Sequence, residues 1–576
     1  MYLLGISGLA DVGAFLAEHF PAQMAQAKVV QGMDAAAALL YNGEVLAAVS
    51  QERFDREKKS GAFPFDAIKY CLDTAGIDMR SVAQVCGNFN FGRYAPVFAT
   101  DPMARQYWEQ CLAPKAIQQK LEFRYDTTVN FQPIDHHDTH VHAALASAPF
   151  QDALAIVMDA AGEVGSTTVY RIDRGVVARL RRYGIPKSLG LFYSLITAFL
   201  GFAFNEDEYK IMGLAALGKP DRYADFFESA IQLLPNGEIA VPSLTLNSGF
   251  TESLFFSATS RAIEEGLGFD GRECSLEQRA DVSAALQRRF TQALFHIAGY
   301  FQQQTGHTNF IMSGGCAENC AAIGELRTAG MFQNIHIAFA SGDEGTALGA
   351  AAAYAHSIHS PLNIAHKLPF YGPAPLLATV RKLIETHRLH LTEYPDSDAM
   401  LDAAAADIAA DKIVALCDGR MEYGARALGN RSLFALPANG DNKERINVAI
   451  KKRQNYRPFA PAVTIEDAHI YFDLNPGEAY PYMTMLTTVR EEYRSVVPAI
   501  THFDGTARVQ TVHPDHNPAF YKLLTALKRR TGVPVVLNTS YNVNHQPIVC
   551  SEAEAIDTFI EMEIDALYIA GAKVTR

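Results

Sequence analysis

Short apolar runs separated by glycine-bearing turns set the pattern of this chain. Residues 2–7 (YLLGIS) read as a strand, and AAAALLY and EVLAAVS on either side of Asn42-Gly43 read as a hairpin. An Asn-Gly pair between two apolar runs favours a two-residue turn that matches strand twist. The order then recurs: LAIVMD ends in Asp159, the loop AAGEVGS follows, and TTVYRI and VVARLRRYG flank DRG as a second hairpin. The pattern therefore reads as a duplicated strand, turn and hairpin unit. Two strand-to-helix junctions come next, NFIMSGGCAEN with Gly314-Gly315 and IHIAFASGDEGTALGAAAAYA with Gly342 and Gly345. Glycine there permits close backbone approach, and a helix N-terminus offers unpaired N–H groups to an anion. Each junction is weak evidence by itself, but the pair and the duplication together favour an α/β architecture that binds a nucleotide.

The stretch HSPLNIAHKLPFYGPAPLL carries four prolines and little periodicity, which places the main boundary there. Strands at IVALC, VPVVLN and ALYIA follow it. The expected domains are 1–360 and 379–576 with a linker over 361–378. For 576 residues, three or four structural units of about 100 to 200 residues are expected. Lysine and arginine number 50 against 63 acids, a net charge of −13 that disfavours nucleic acid and anionic membranes as partners. No apolar run approaches the ~18 residues of a membrane span, and MYLLGISGLADVGAF lacks a basic start and is broken by Asp11. Neither a signal peptide nor an anchor is expected, and the cytoplasm is the expected location. The eight cysteines contain no CxxC pair and read as reduced thiols.

Candidate chemistry begins with DHHDTHVHAALASA, which sets His136, His137, His140 and His142 at a helix start. His136 and His140 share one helical face, the spacing at which two imidazoles reach one metal ion; a hydrated, histidine-rich helix start is the plain alternative. His137 and His142 read as surface or outer groups. A two-histidine site needs further ligands, and Asp159 at a strand end and Asp343 in SGDEG are carboxylates that loops expose. Two His and two Asp suit a divalent transition metal such as Fe, Mn or Zn acting on a phosphate or carbonyl, although a single Asp before a helix is more commonly a cap. Further on, DGRMEYGARALGNRS and KKRQNYRPFAP gather Arg420, Arg426, Arg431, Lys451, Arg453 and Arg457, a local reversal in an acidic chain. Arginines among glycine and apolar residues can clamp a phosphate bidentately; pairing of several with acids is the alternative. LNTSYN (537–542) ends a strand in hydroxyl and amide groups suited to a phosphate or carbamoyl group, or to a Ser/Thr turn.

In this order and over almost the whole chain, DHHxxH, the Asp159 loop, NEDEYKIMGLAALG, SGGCAEN, SGDEGTALGA, GRMEYGARALGNRS, the KxR pair with YRPFAP, and LNTSYN resemble the ATP-dependent carbamoyltransferases of antibiotic and nodulation-factor biosynthesis. The resemblance implies an N-terminal half similar to the metal-containing subunit of the tRNA threonylcarbamoyladenosine machinery, a duplicated actin/Hsp70-like (ASKHA) α/β fold. It also implies a YrdC-like C-terminal α/β domain similar to threonylcarbamoyl-AMP synthase. Carbamoyl phosphate and ATP, the latter with Mg2+, would give carbamoyl-adenylate and pyrophosphate in the C-terminal domain. The carbamoyl group would then pass to a hydroxyl or amine of a small natural-product acceptor at the N-terminal site.

Position by position, the resemblance puts Fe2+ or another divalent transition metal on His136, His140, Asp159 and Asp343. It puts a nucleotide against Gly190, Lys210, Gly314, Gly315, Cys316, Asn319 and Asp343, and the adenylate against Arg426, Lys451, Arg453, Arg457, Arg508, Asn538, Ser540 and Asn542. No nucleic-acid or membrane partner is implied, and a homodimer is left open. A reactive adenylate hydrolyses in water, so an enclosed passage between the sites is expected. One departure stands out: family members usually carry His-Asp-Ala where this chain has Met33-Asp34-Ala35. Methionine cannot accept a proton, which leaves Asp34 as the nearest candidate for a base. The segment from about Leu9 to Gly32 is also longer than the family's, and reads either as a wall of the acceptor pocket or as a passive loop. The competing readings are a threonylcarbamoyl-type tRNA-modifying enzyme, disfavoured by the acidic charge, and a non-catalytic regulatory homologue, which predicts lost metal or arginine ligands.

Overall fold

The computed structural model describes residues 1–26, 31–365 and 367–576. The fold is mixed α/β and divides into two compact units, Met1–Gln51 with Lys59–Ala365, and Glu52–Lys58 with His366–Arg576.

In the first unit, β1 (Tyr2–Ser7) pairs antiparallel with β2 (Ala36–Tyr41), and β2 with β3 (Glu44–Ser50). On its other side β1 runs parallel to β4 (Val82–Gly87), and β4 to β5 (Phe131–Pro133). The second sheet repeats every step: β6 (Ala153–Met158) pairs antiparallel with β7 (Gly165–Asp173), and β7 with β8 (Val176–Gly184). β6 also runs parallel to β9 (Asn309–Ser313), and β9 to β10 (Asn334–Ile337). The orders β3-β2-β1-β4-β5 and β8-β7-β6-β9-β10 are therefore one topology used twice. Both hairpin turns have two left-handed central residues, Asn42 and Gly43 with φ of 49° and 83°, and Arg174 and Gly175 with φ of 49° and 79°. That is the geometry whose twist matches the flanking strands. β6 is buried along its whole length, as a central strand must be, whereas β8 exposes much of its arginine-rich edge and so resists pairing with another chain.

Four helices matter for the site: α1 (His136–Ser147), α2 (Leu189–Phe199), α3 (Cys320–Thr328) and α4 (Gly345–Ser357). The alanine-rich α4 seats at backbone distance on its neighbours. A Cβ on Gly5 would stand 1.8 Å from the Ala347 carbonyl oxygen, and one on Gly349 would stand 2.0 Å from that of Thr139. Small residues thus bring α4 against β1 and α1, and with it the loop that precedes α4. In the segment from about Leu9 to Gly32, Val12–His19 and Pro21–Gln26 are helical, and 27–30 lie outside the described residues, as does 366 in the linker.

The second unit holds β11 (His390–Glu393), β12 (Val414–Cys417), β13 (Arg431–Ala435), β14 (Ala460–Thr464), β15 (Gln510–Val512), β16 (Val535–Ser540), β17 (Ala566–Ile569) and β18 (Ala572–Thr575). They form one sheet of order β11-β18-β17-β12-β13-β16-β14-β15. α5 (Ser397–Ala409) and α6 (Pro518–Thr531) bury Met400, Leu401, Leu523 and Leu527 against Phe434 and Val536 of that sheet. The proline-rich stretch is not all connector. Gly372 and Tyr423 donate to the carbonyls of Met421 and Pro369 at 3.0 and 2.7 Å, and Met421 donates to Pro373 at 2.9 Å. Proline lacks an N–H but keeps its carbonyl, so 369–373 can serve as an edge that accepts. Among the described residues no helix is long and apolar enough to cross a membrane.

Candidate metal and phosphate sites

The loop Asp159–Val164 closes tightly, with the Gly162 N–H donating to Gly165 at 2.7 Å and the Asp159 N–H to Ser166 at 2.8 Å. Asp159 thereby points at α1, and the loop before α4 brings Asp343 to the same place. Donor atoms of His136, His140, Asp159 and Asp343 all lie within 4.8 Å of one another. The two Nε2 atoms are 3.2 Å apart; His136 Nε2 lies 3.3 Å from Asp159 Oδ2 and 3.4 Å from Asp343 Oδ1, and His140 Nε2 lies 3.4 Å from both. These five separations are close to the about 3.4 Å edges of a tetrahedron of about 2.1 Å bonds, and two imidazoles with two carboxylates suit a divalent transition ion.

The outer nitrogens are committed in the way such ligands require. The Asn88 carbonyl, which can only accept, stands 3.2 Å from His136 Nδ1 and so favours the tautomer with its Nε2 lone pair inward, and Ser313 Oγ stands 3.4 Å from His140 Nδ1. Phe89 stacks on the His136 ring at 4.2 Å and 2°. Burial disfavours charge here, but the Asp343 and Asp159 carboxylates hold His136 well above its ordinary range, and the two imidazoles hold Asp159 well below its own.

The Glu163 carboxylate accepts from the backbone N–H of His136 at 3.0 Å and of Asn90 at 2.7 Å, tying the start of α1 to the strand end beside it. Asp135, the residue before α1, makes no side-chain cap and instead binds Arg182 Nη2 through both oxygens at 2.7 Å. Glu163→Ala is expected to weaken metal binding about 10- to 100-fold, while Glu163→Gln, which keeps the accepting oxygen, stays within a few-fold of wild type. Chelator competition checks both.

The packing refines several expected roles. Of the two readings of His137, surface or outer group, the packing agrees with the second: it is 1% exposed, shares a 2.6 Å hydrogen bond with Thr168 Oγ1, and is pulled down to about 3 by burial and by the charges of His136 and His140. Gly190 and Gly314, expected to meet a nucleotide, also stand where backbones pack closely. A Cβ on Gly190 would stand 2.9 Å from the Asp159 carbonyl and one on Gly314 2.3 Å from that of Met158, while Gly315 is exposed. Asn319 caps α3 through the Ala322 N–H and exchanges amide hydrogen bonds of 2.9 Å with Gln287. Burial pushes the Cys316 thiol well up, and the Asp159 and Glu208 charges add to it, so it is no thiolate. Lys210 is buried and paired with Asp207 at 2.7 Å.

Met33 sits beside Asn205, whose amide donates to its sulfur at 3.7 Å. Next to it, Asp34 pairs with Lys59 at 3.6 Å. Burial works against charge on Lys59, but Asp34, Glu208, Glu318 and Glu344 outweigh it and hold the ammonium well above its usual range. No motif marked Lys59, or Glu163 in its glycine loop.

In the second unit the cations separate into two kinds. Arg431, fully buried, donates to the carbonyls of Gly419, Asn430 and Pro373 at 3.1, 2.8 and 2.8 Å, and Arg420 donates to Tyr371 and Gly372. These two hold the 369–373 edge and are structural, against the reading of all six cations as one phosphate cluster. Lys451 instead reaches the end of β16, donating to the Ser540 carbonyl, Ser540 Oγ and Asn542 Oδ1 at 2.7, 3.3 and 3.1 Å. Buried Asn447 arranges its companions: its Oδ1 accepts from Arg453 Nε at 2.7 Å and its Nδ2 donates to the Arg457 carbonyl at 2.9 Å. Asn538 donates to Gln510 Oε1 at 2.9 Å, and Gln510 donates to the Leu428 carbonyl at 2.9 Å, joining β16 to the Arg426 loop. Arg508 stands near His502, which is drawn down to about 4 by burial first, with the Arg508 charge adding to it.

Burial, then the charges of Arg453 and Arg457, pull Lys451 well below its ordinary range. An anion at this point favours the ammonium, so binding is expected to take up a proton. Pyrophosphate binding heats measured in buffers of different ionisation enthalpy should show that uptake in wild type and lose it in Lys451→Met; buffer-independent heats in wild type would contradict it.

A family model described as carbamoyltransferase N-terminus matches residues 101–352, and one described as carbamoyltransferase C-terminus matches 405–576. The chain is 33% identical over 562 residues to "Nodulation protein NolNO" of Sinorhizobium fredii (strain NBRC 101917 / NGR234), covering 94% of this chain and 79% of the relative. "Nodulation protein NolO" of Bradyrhizobium diazoefficiens is 36% identical over 440 residues, 76% of this chain and 78% of that one. "3'-hydroxymethylcephem-O-carbamoyltransferase" of Amycolatopsis lactamdurans is 29% identical over 446 residues, 73% and 76% of the two chains.

Proposed function

This chain belongs to the carbamoyltransferase family and is an enzyme of that class; from that premise we propose that it moves a carbamoyl group from carbamoyl phosphate to a hydroxyl of a small acceptor in two steps, through carbamoyl-adenylate. In the first step carbamoyl phosphate, ATP and water give carbamoyl-adenylate, pyrophosphate and inorganic phosphate. In the second the acceptor oxygen attacks the carbamoyl carbon, AMP leaves, and the acceptor proton is released. The observation that carries this reading is that two chemically distinct clusters lie in two different compact units: the His and Asp donors in the first, and the cations around Lys451 in the second.

The second unit, proposed as the YrdC-like domain, suits the first step. Two anionic reactants, carbamoyl phosphate and ATP, meet there, and Lys451, Arg453, Arg457, Arg426 and Arg508 supply the positive charge that their approach needs, with Mg2+ accompanying ATP. Asn538, Ser540 and Asn542, on and just beyond β16, offer the donors and acceptors that orient a carbamoyl group. The first unit, proposed as the actin-like transfer domain, suits the second step. When bound, a divalent transition metal such as Fe2+ on His136, His140, Asp159 and Asp343 would supply Lewis-acid polarisation of the carbamoyl carbonyl. Asn88, Ser313 and Glu163 hold those donors in place. Asp34, paired with Lys59, is the proposed acceptor of that proton.

The acceptor hydroxyl is read from the relatives named as O-carbamoyltransferases. Pyrophosphate release from ATP with and without carbamoyl phosphate, run beside metal analysis, tests the whole. Release that ignores carbamoyl phosphate would sink the adenylate step, and a metal-free active enzyme would sink the transfer site.

A further inference from the structure

Residues Glu52–Lys58 leave the first unit after Gln51, belong to the second, and rejoin the first at Lys59. They follow β3 directly, yet Arg53 and Arg56 reach residues more than 350 positions away in sequence. We propose that this segment completes the phosphate-binding unit, and that Arg53 and Arg56 are positioning residues for Arg426 and Lys451; the inference rests on the adenylate-forming reading of that unit and names a part of its machinery.

Arg53 is 3% exposed, and its Nη2 donates to the Gly424 carbonyl at 3.1 Å while its Nη1 pairs with Glu52 at 3.0 Å. Gly424 precedes Arg426 by two residues and has φ of 122°, a conformation that only glycine adopts with ease. A glycine has the widest backbone freedom, so the direction of its carbonyl is set by whatever donates to it, here a buried guanidinium. Phe54 packs on Met421, Ala427, Ile548 and Cys550, which places an apolar support under both flanks of the same loop. Elsewhere the loop is already held: Glu422 Oε1 accepts from the N–H groups of Leu428, Asn430 and Arg431 at 2.8, 2.8 and 3.2 Å.

The other end of the segment reaches the Lys451 side. Arg56 donates to the carbonyls of Ile548 and Pro547 at 3.0 Å each and pairs with Glu554 at 3.2 Å. Between Pro547 and Lys451 the chain of contacts is short, because Gln546 accepts from Asn542 Nδ2 at 2.7 Å and Asn542 in turn accepts from Lys451. One turn of helix therefore braces the arginine loop and the lysine loop of one proposed anion site.

The test uses the full-length enzyme and reads carbamoyl-phosphate-dependent pyrophosphate release, with melting temperature and metal content as folding controls. Arg53→Ala is expected to lower kcat/KM about 10- to 100-fold, the cost of misplacing a charged group by about 1 Å, with metal content unchanged. Arg53→Lys, which can still donate to Gly424, should recover most of the loss. In an Arg426→Lys background the Arg53→Ala factor should shrink to less than about threefold, because the two substitutions act through one interaction. Arg53→Gln replaces Arg53→Ala in the same cycle should the alanine variant fail to fold. Wild-type rates in Arg53→Ala and Arg53→Gln, or an undiminished factor in the Arg426→Lys background, would overturn this inference alone. Absence of carbamoyl-phosphate dependence in wild type would overturn the adenylate reading and this inference with it.

Discussion

His140→Ala is expected to keep carbamoyl-phosphate-dependent pyrophosphate release within about threefold of wild type while lowering carbamoyl transfer by about 10³-fold, the size of effect seen when one preorganised electrostatic group is lost. Its Nε2 lies 3.4 Å from both Asp159 and Asp343, so its loss opens one corner of the four-donor set. Removal of a direct donor should weaken metal binding by more than the about 10- to 100-fold expected for an outer group such as Glu163. Metal analysis after dialysis should find His140→Ala depleted. The residue itself is fully buried on α1, yet the cavity left by an imidazole is bordered by Ser313 and Phe89-stacked His136, and the sheet behind it is untouched. Loss of both half-reactions in a folded variant would show that the two units do not divide the chemistry as proposed.

Arg457→Ala should do the converse: pyrophosphate release falls about 10²- to 10³-fold, transfer from carbamoyl phosphate falls with it, and bound metal stays at the wild-type level. Its backbone carbonyl is held by Asn447, and its charge acts on Lys451. A guanidinium placed this way has its backbone fixed by the fold, so the substitution removes charge without releasing the loop. A second consequence follows for Lys451, whose depressed affinity for a proton comes from burial first and from Arg453 and Arg457 next. With Arg457 gone, the lysine should hold its proton more firmly, and the proton uptake on pyrophosphate binding should diminish. Steady-state pyrophosphate release, metal analysis and binding calorimetry on one preparation separate these outcomes. Unchanged release in Arg457→Ala would remove this arginine from the phosphate site.

Cutting the chain within the 361–378 linker would strand Glu52–Lys58 with the wrong fragment. Assays on separated halves would then measure the absence of Arg53 and Arg56 as well as the absence of a connection.

What the amino-acid sequence determined by itself was local and periodic. Asn42-Gly43 and the Asp173-Arg174-Gly175 turn announced both hairpins, because left-handed φ is a property of those residues in place. The all-apolar β6 announced a central strand, and the repeated order of elements announced the duplication. His136 and His140 could be paired because helical spacing alone puts them on one face. What only the tertiary structure decided was the partner of each long charged side chain. Arg420, Arg426, Arg431, Arg453 and Arg457 look alike in sequence, but two of them end on backbone carbonyls of 371–373 and neighbouring turns, contacts that depend on a strand edge tens of residues away. The sequence does not show that Gly190 and Gly314 also lie where two backbones touch. Glu163, Lys59 and Arg53 carry no motif at all. Their roles arise because folding brings a carboxylate to a helix start, an ammonium among four acids, and a segment next to β3 into the far unit, and no periodicity in the chain encodes such long-range closures.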